Sequence, residues 1–204
     1  MPSTPLLAFG ITHLTDARYF AAWEARYLCF PLGPAGMPLE NFQAIREWVE
    51  GPVCVAELGA DAGVIEDTGG LRTAGITHVL IDYGTPAAPF RMAGIEVLTR
   101  VPVAGYHSAL DVAEQLNEIS GPVVLDFTDG GITWTDLVEG HPFSTGPLTE
   151  LTHGREAFLR IDLTPDEAGS AAEAGHGLAF RGSSEEKVGY KSFDDIDDIL
   201  EALE

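Results

Sequence analysis

Eight short apolar runs, most of them followed by a helix-like stretch, recur along the whole chain, and this rhythm limits the folds open to it. The runs are Leu6–Ile11, Tyr27–Leu32, Val53–Leu58, His78–Tyr83, Ile95–Val101, Pro122–Phe127, Ala157–Asp162 and Gly177–Gly182. Helix candidates are Asp16–Ala25, Leu39–Glu50, Ala62–Ala74, Ser108–Ile119, Thr164–Ala174 and Ser192–Leu203, while the stretches after the fourth and sixth runs are short and weak. Strands that each need a helical crossover before the next make a parallel sheet covered by helices. Eight such units in roughly 200 residues predict a compact (β/α)8 TIM barrel, near the lower size limit of that architecture. A doubly wound open sheet is the competing fold. Its dinucleotide-binding version needs a Gly-rich turn after the first strand, and "GITHLTD" lacks the G-x-G-x-x-G spacing. No Walker-type phosphate loop occurs, and the pairs Gly69-Gly70 and Gly130-Gly131 read as loops.

With 204 residues and 45% apolar content, the chain is long enough for one sizeable core, so a single domain over Met1–Glu204 is expected. No stretch approaches the roughly 18 apolar residues of a membrane span, and no basic segment leads into an apolar run at the N-terminus. A soluble, cytoplasmic protein is expected, as a monomer or homodimer. Cys29 and Cys54 sit inside "YLCFPL" and "PVCVAEL", which fits reduced core thiols better than a disulfide or a metal site. The formal charge is −21, from 32 acidic against 11 basic residues, and only Lys187 and Lys191 are lysines. Such a surface repels nucleic acid and anionic membranes. It also points to a protein working at high salt, where screening shortens to a few ångström. The tail "SFDDIDDILEALE" predicts an amphipathic helix with Phe193, Ile196, Ile199, Leu200 and Leu203 on one stripe.

Several stretches carry a resemblance. "FGITHLTDARYFAAWEARYLCF" is similar to a C-G-I-T strand end followed by an acidic D-A helix start; "VVLDFTDGG" is similar to a sixth strand ending in aspartate before Gly-Gly; "LTPDEAGSAAEAGHGLAF" and "EEKVGYKSFDDI" resemble a seventh helix and an E-x-x-P-G-x-K-D stretch. Together they resemble the phosphoribosylanthranilate isomerases of tryptophan biosynthesis, single-domain (β/α)8 barrels of this length. The resemblance implies an Amadori-type conversion of an aminoaldose to an aminoketose, which needs one general base and one general acid. It assigns the acid to Asp126. Phe9 occupies the place of the family's basic cysteine and has no acid–base chemistry. Gly36 or a neighbour in "PLGPAGMP" stands where the family carries a substrate-holding basic residue, and Ala179 stands for an aspartate. Ile161-Asp162 replaces the Gly-Gly whose N–H groups bind phosphate. A carboxylate within about 4 Å of a phosphate costs on the order of 1–4 kcal/mol. The family activity is therefore expected to be weak or lost.

Strand alternation gives the expected inner face. It turns Asp82, Arg100, Asp126, Arg160, Asp162 and Arg181 inward near the C-terminal ends of their strands, where barrel active sites form, with Glu57 in a position to join them. An arginine fork there suits a carboxylate or phosphate, and an aspartate suits proton transfer. Buried charges also pair in the absence of any ligand, so a self-satisfied ion-pair network has the same signature. Three readings stay open: an isomerase with a substitute base, a binding protein for a small anionic metabolite, and a catalytically silent scaffold. His13 and His107, in loops after the first and fifth strands, are either substitute bases or capping residues. Ser183 and Ser184 follow the eighth strand, where the family's equivalent loop offers hydroxyl and N–H groups to an anion. The six histidines show no metal-ligand spacing, so neither a metal nor another cofactor is expected.

Overall fold

A computed structural model describes residues 4–33, 36–59, 62–63, 67–182 and 193–203. Eight strands, β1 (Leu6–Phe9), β2 (Tyr27–Pro31), β3 (Val53–Gly59), β4 (His78–Asp82), β5 (Glu96–Pro102), β6 (Val123–Asp126), β7 (Ala157–Arg160) and β8 (Gly177–Arg181), follow one another in sheet order and close into a barrel. β1 to β4 pair parallel in sequence, as do β6 to β8, as the crossover rhythm requires. Among the described residues the helices are α1 (Leu14–Ala22), α2 (Leu39–Arg46), α3 (Thr68–Thr73), α4 (Ala88–Met92), α5 (Ala109–Asn117), α6 (Trp134–Glu139), α7 (Thr145–Thr152), α8 (Pro165–Glu173) and α9 (Asp194–Glu201). None is long and apolar enough to cross a membrane.

Local chemistry explains the boundaries. Ser108, Thr133 and Thr164 each form a capping box with the acidic residue three positions on, Asp111, Asp136 and Glu167, which starts α5, α6 and α8. Pro165 fills the first position of α8, where no N–H is needed. α3 is shorter than the expected Ala62–Ala74, beginning only where the Asp67 carboxylate caps the N–H of Gly70. The pair Gly69-Gly70, expected in a loop, lies in its first turn. Strand seven stops at Arg160 rather than Asp162, which instead makes an isolated bridge to Thr133. On α9, Leu200 and Leu203 are buried and Ile196 and Ile199 half-buried, as the stripe predicts.

The chain groups into two compact units. One runs from Leu6 to Thr99 and takes in the end of β8 from Phe180; the other holds Arg100–Ala179 and the last helix. In the first unit the two faces of the sheet can be told apart. Phe30 stacks edge-on against Phe42 of α2, with ring centroids 5.2 Å apart, so Phe30 faces the helices. Its register partner Ala56 faces the same way. Alternation then turns Cys29, Pro31, Val55 and Glu57 to the barrel interior.

Candidate functional site

The inner row of the first unit carries an acid that the sequence placed near it. Glu57, near the end of β3, accepts a hydrogen bond at Oε2 from the backbone N–H of Gly10, 2.8 Å away. Gly10 follows β1 and lies in the left-handed region at φ +67°, a conformation that suits glycine. Phe9 directly precedes it, is only 5% exposed, and shares the inner parity of Cys29, since Ala8 pairs with Leu28 one step back. Its neighbour on that row, Cys29, is fully buried, and burial first, then the charge of Glu57, then Cys54 push its thiol well above its ordinary value. A thiol held protonated in this way is a poor base.

Asp82 ends β4 half-buried, on the inner parity set by the pairing of Leu80 with Glu57, as expected. Arg181 ends β8 exposed, with its Cγ and Nε packed so close to Gly10 that an added Cβ there would sit 3.5 Å from both. The N–H of Gly182 donates to the carbonyl of Phe9 at 2.8 Å. Beside it lies Asp16, from the first turn of α1, fully buried, with Oδ2 within 3.0 Å of where a Gly182 Cβ would be. Gly36 is held by its backbone: an added Cβ would lie 2.4 Å from the Pro31 carbonyl oxygen, and Met37 donates to that same oxygen at 2.7 Å. The loop after β2 thus leaves no room for any side chain at Gly36.

In the second unit the central acid is Asp126, 0% exposed at the end of β6. Arg160, its register partner on β7, donates from a guanidinium nitrogen to Oδ2 at 2.5 Å and is 13% exposed. Thr128 donates to Oδ1 twice, from its backbone N–H at 3.1 Å and its hydroxyl at 2.7 Å. Both carboxylate oxygens are therefore acceptors, and Asp126 can hand a proton to a ligand only if Arg160 or Thr128 gives way. Arg100 on β5 is half-buried. Asp162 departs from the expected inner position. The regular pleat ends at Arg160, so alternation no longer governs it, and it is exposed.

The remaining candidates separate. His107 accepts at Nδ1 from the N–H of Ala104, a turn-capping bond, and His13 is the exposed N-cap residue of α1. Ser183 and Ser184 lie outside the described residues. Among the described residues no group of three or more His, Cys, Asp or Glu could hold a metal. Two cavities lie at the opposite strand ends. One of about 340 Å³ is lined by Ile119, Pro122, Arg155 and Glu156, which precede β6 and β7; another of about 540 Å³ is lined by Ala25, Arg26, Pro52 and Val53, before β2 and β3. Conservation of chemistry is not expected at that end of a barrel, which serves stability. Arg155 illustrates this, its guanidinium nitrogens donating to the Leu116 and Ile119 carbonyls at the end of α5. Sequence reasoning missed Thr128. The signal was present in "LDFTD": a hydroxyl two residues after an aspartate closes a local turn on it.

No protein-family model matches the chain, and no curated protein matches it. Solved structures do share its fold. Phosphoribosyl anthranilate isomerase from Thermus thermophilus superposes with a TM-score of 0.70 at 20% identity, covering 98% of each chain. A phosphoribosyl anthranilate isomerase in complex with reduced 1-(o-carboxyphenylamino)-1-deoxyribulose 5-phosphate gives 0.68 at 20%, again over 98% of each chain. The 3-hexulose-6-phosphate synthase from Salmonella typhimurium gives 0.61 at 14% over 98% of each chain. At these identities the likeness is one of fold.

Proposed function

We propose that this chain is a diverged aldose–ketose isomerase of the phosphoribosylanthranilate isomerase type, acting on a small phosphorylated sugar amine at the C-terminal ends of its strands. It works as one domain over Met1–Glu204, in the cytoplasm, at high salt. One observation carries the reading: the motif aspartate of the sixth strand, Asp126, is present, fully buried and held by Arg160 and Thr128 at a strand's C-terminal end. Likeness to several isomerases over 98% of the chain supports it. The absent thiolate at Phe9 and the closed loop at Gly36 explain why its rate on the family substrate is expected to be low. Turnover is measured with phosphoribosylanthranilate in high salt, for the wild type, Asp126→Asn and Phe9→Cys. Slow turnover in the wild type that is lost in Asp126→Asn supports the reading; no turnover in any of the three overturns it.

A second reading follows from Arg181, exposed at the end of β8 and braced against Gly10. It makes the protein a binder of a small anionic metabolite. A thermal shift with carboxylated sugar phosphates that persists in Asp126→Asn and is lost in Arg181→Gln favours it. If neither turnover nor a shift is seen, a silent scaffold is left.

A further inference from the structure

Glu57 reaches a place that its own strand does not border. β1 and β3 are separated by β2, so at about 4.8 Å per strand their backbones lie roughly 10 Å apart. The Glu57 side chain nevertheless bonds Gly10, the residue after β1, at 2.8 Å. In a closed sheet a side chain crosses two strands most directly on the concave side, and the inner parity of Glu57 puts it there. The carboxylate is therefore half-buried inside the barrel, beside the backbone that follows Phe9. Cys29 of β2, the strand between, lies on the same inner row, in register with Val55 two residues before Glu57.

We infer that Glu57 is the general base of this barrel, supplying from β3 the proton acceptor that β1 lacks at Phe9. The inference rests on the isomerase reading. With the substrate ring opened to an iminium, the Glu57 carboxylate takes the proton from C2. The C2–H electron pair becomes the C1=C2 bond, and the C1=N pair returns to nitrogen, giving an enolamine. The C2 hydroxyl then loses its proton as C2=O forms, and C1 takes up a proton. C2 is oxidised and C1 reduced within one molecule, so no external oxidant or reductant takes part. The Gly10 N–H on Oε2 orients the carboxylate, while partial burial limits its competition with water.

Glu57→Gln separates this role from a structural one, because the amide oxygen still accepts from the Gly10 N–H while the basic group is gone. With phosphoribosylanthranilate as substrate, Glu57→Gln is expected to lower kcat by about 10²–10⁴-fold with KM and melting temperature little changed. Glu57→Asp, shorter but still basic, is expected to recover part of the rate and to keep the acid limb of the pH–rate profile, which Glu57→Gln loses. Exchange of the substrate's C2 proton into deuterated solvent should fall with kcat. A Glu57→Gln protein that turns over at the wild-type rate overturns the assignment and leaves the isomerase reading intact. A change confined to KM makes Glu57 a positioning residue and also overturns it. If the wild type itself shows no turnover, the isomerase reading and the assignment fall together.

Discussion

Asp126 and Arg160 face each other across β6 and β7 in direct register, and their side chains meet at 2.5 Å with the carboxylate sealed from solvent. A buried ion pair is most costly when half of it is removed, since the surviving charge keeps its desolvation penalty without its partner. Arg160→Leu is therefore expected to destabilise the protein by about 3–5 kcal/mol, read from urea unfolding. The double substitution Asp126→Leu with Arg160→Leu should regain most of that loss. A double variant as unstable as Arg160→Leu alone would show that the pair contributes more than its charges.

Gly36 cannot carry the basic residue that the resemblance places near it. Its missing Cβ would meet the Pro31 carbonyl at 2.4 Å, and backbone cannot move aside as a flexible side chain would. Gly36→Arg is expected to cost about 1–3 kcal/mol, in the range of overpacked sites, without lowering KM for a phosphorylated substrate. A tighter KM in a variant of unchanged melting temperature would contradict this.

His176, just before β8, is 2% exposed, its Nδ1 3.3 Å from the Thr152 hydroxyl and its Nε2 buried without a hydrogen bond among the described residues. Burial lowers its pKa below the ordinary 6.5. The unfolded chain then takes up a proton before the folded one, so this contribution is fully present above about 6.5 and is lost as pH falls from there through the lower folded value. The melting temperature is expected to drop between pH 7.5 and 5.5, and His176→Leu to flatten that slope. Equal slopes would remove His176 as the cause.

The fold was legible because all eight strands announced themselves as apolar runs, and the structure places a strand in each. Asp126 and Arg160 were legible together, since alternation survives wherever the pleat is regular. Asp162 was not, because strand pairing at β7 stops two residues earlier and periodicity carries no information past a strand's end. Glu57 was legible as an inner acid but not as a partner of Gly10: a bond that spans two strands depends on barrel closure, which no local pattern encodes.

Thr164 closes the start of α8, donating its hydroxyl to the Glu167 carboxylate at 2.9 Å, while Thr135 of α6 donates to the other Glu167 oxygen, also at 2.9 Å. Its loss should cost about 1 kcal/mol, as for other N-caps. The backbone N–H of Thr164 first, and then the Thr164 and Thr135 hydroxyls, hold the Glu167 carboxyl below its ordinary 4.5, and Thr164→Ala removes the Thr164 hydroxyl's share. A depressed acid stabilises above its unfolded value and loses that contribution as pH falls through the folded one. In melts from pH 5.5 to 3, Thr164→Ala is expected to differ most from the wild type at the upper end. A constant difference across the range would show that the cap acts independently of Glu167.

The sealed thiol of Cys29 gives the molecule its own gauge of breathing. A sulfur that is buried, kept protonated and flanked by a carboxylate reacts with an alkylating reagent only in the moments when the strands around it part. Cys54, on the opposite face of the neighbouring strand and partly accessible, provides the internal clock against which that opening is timed.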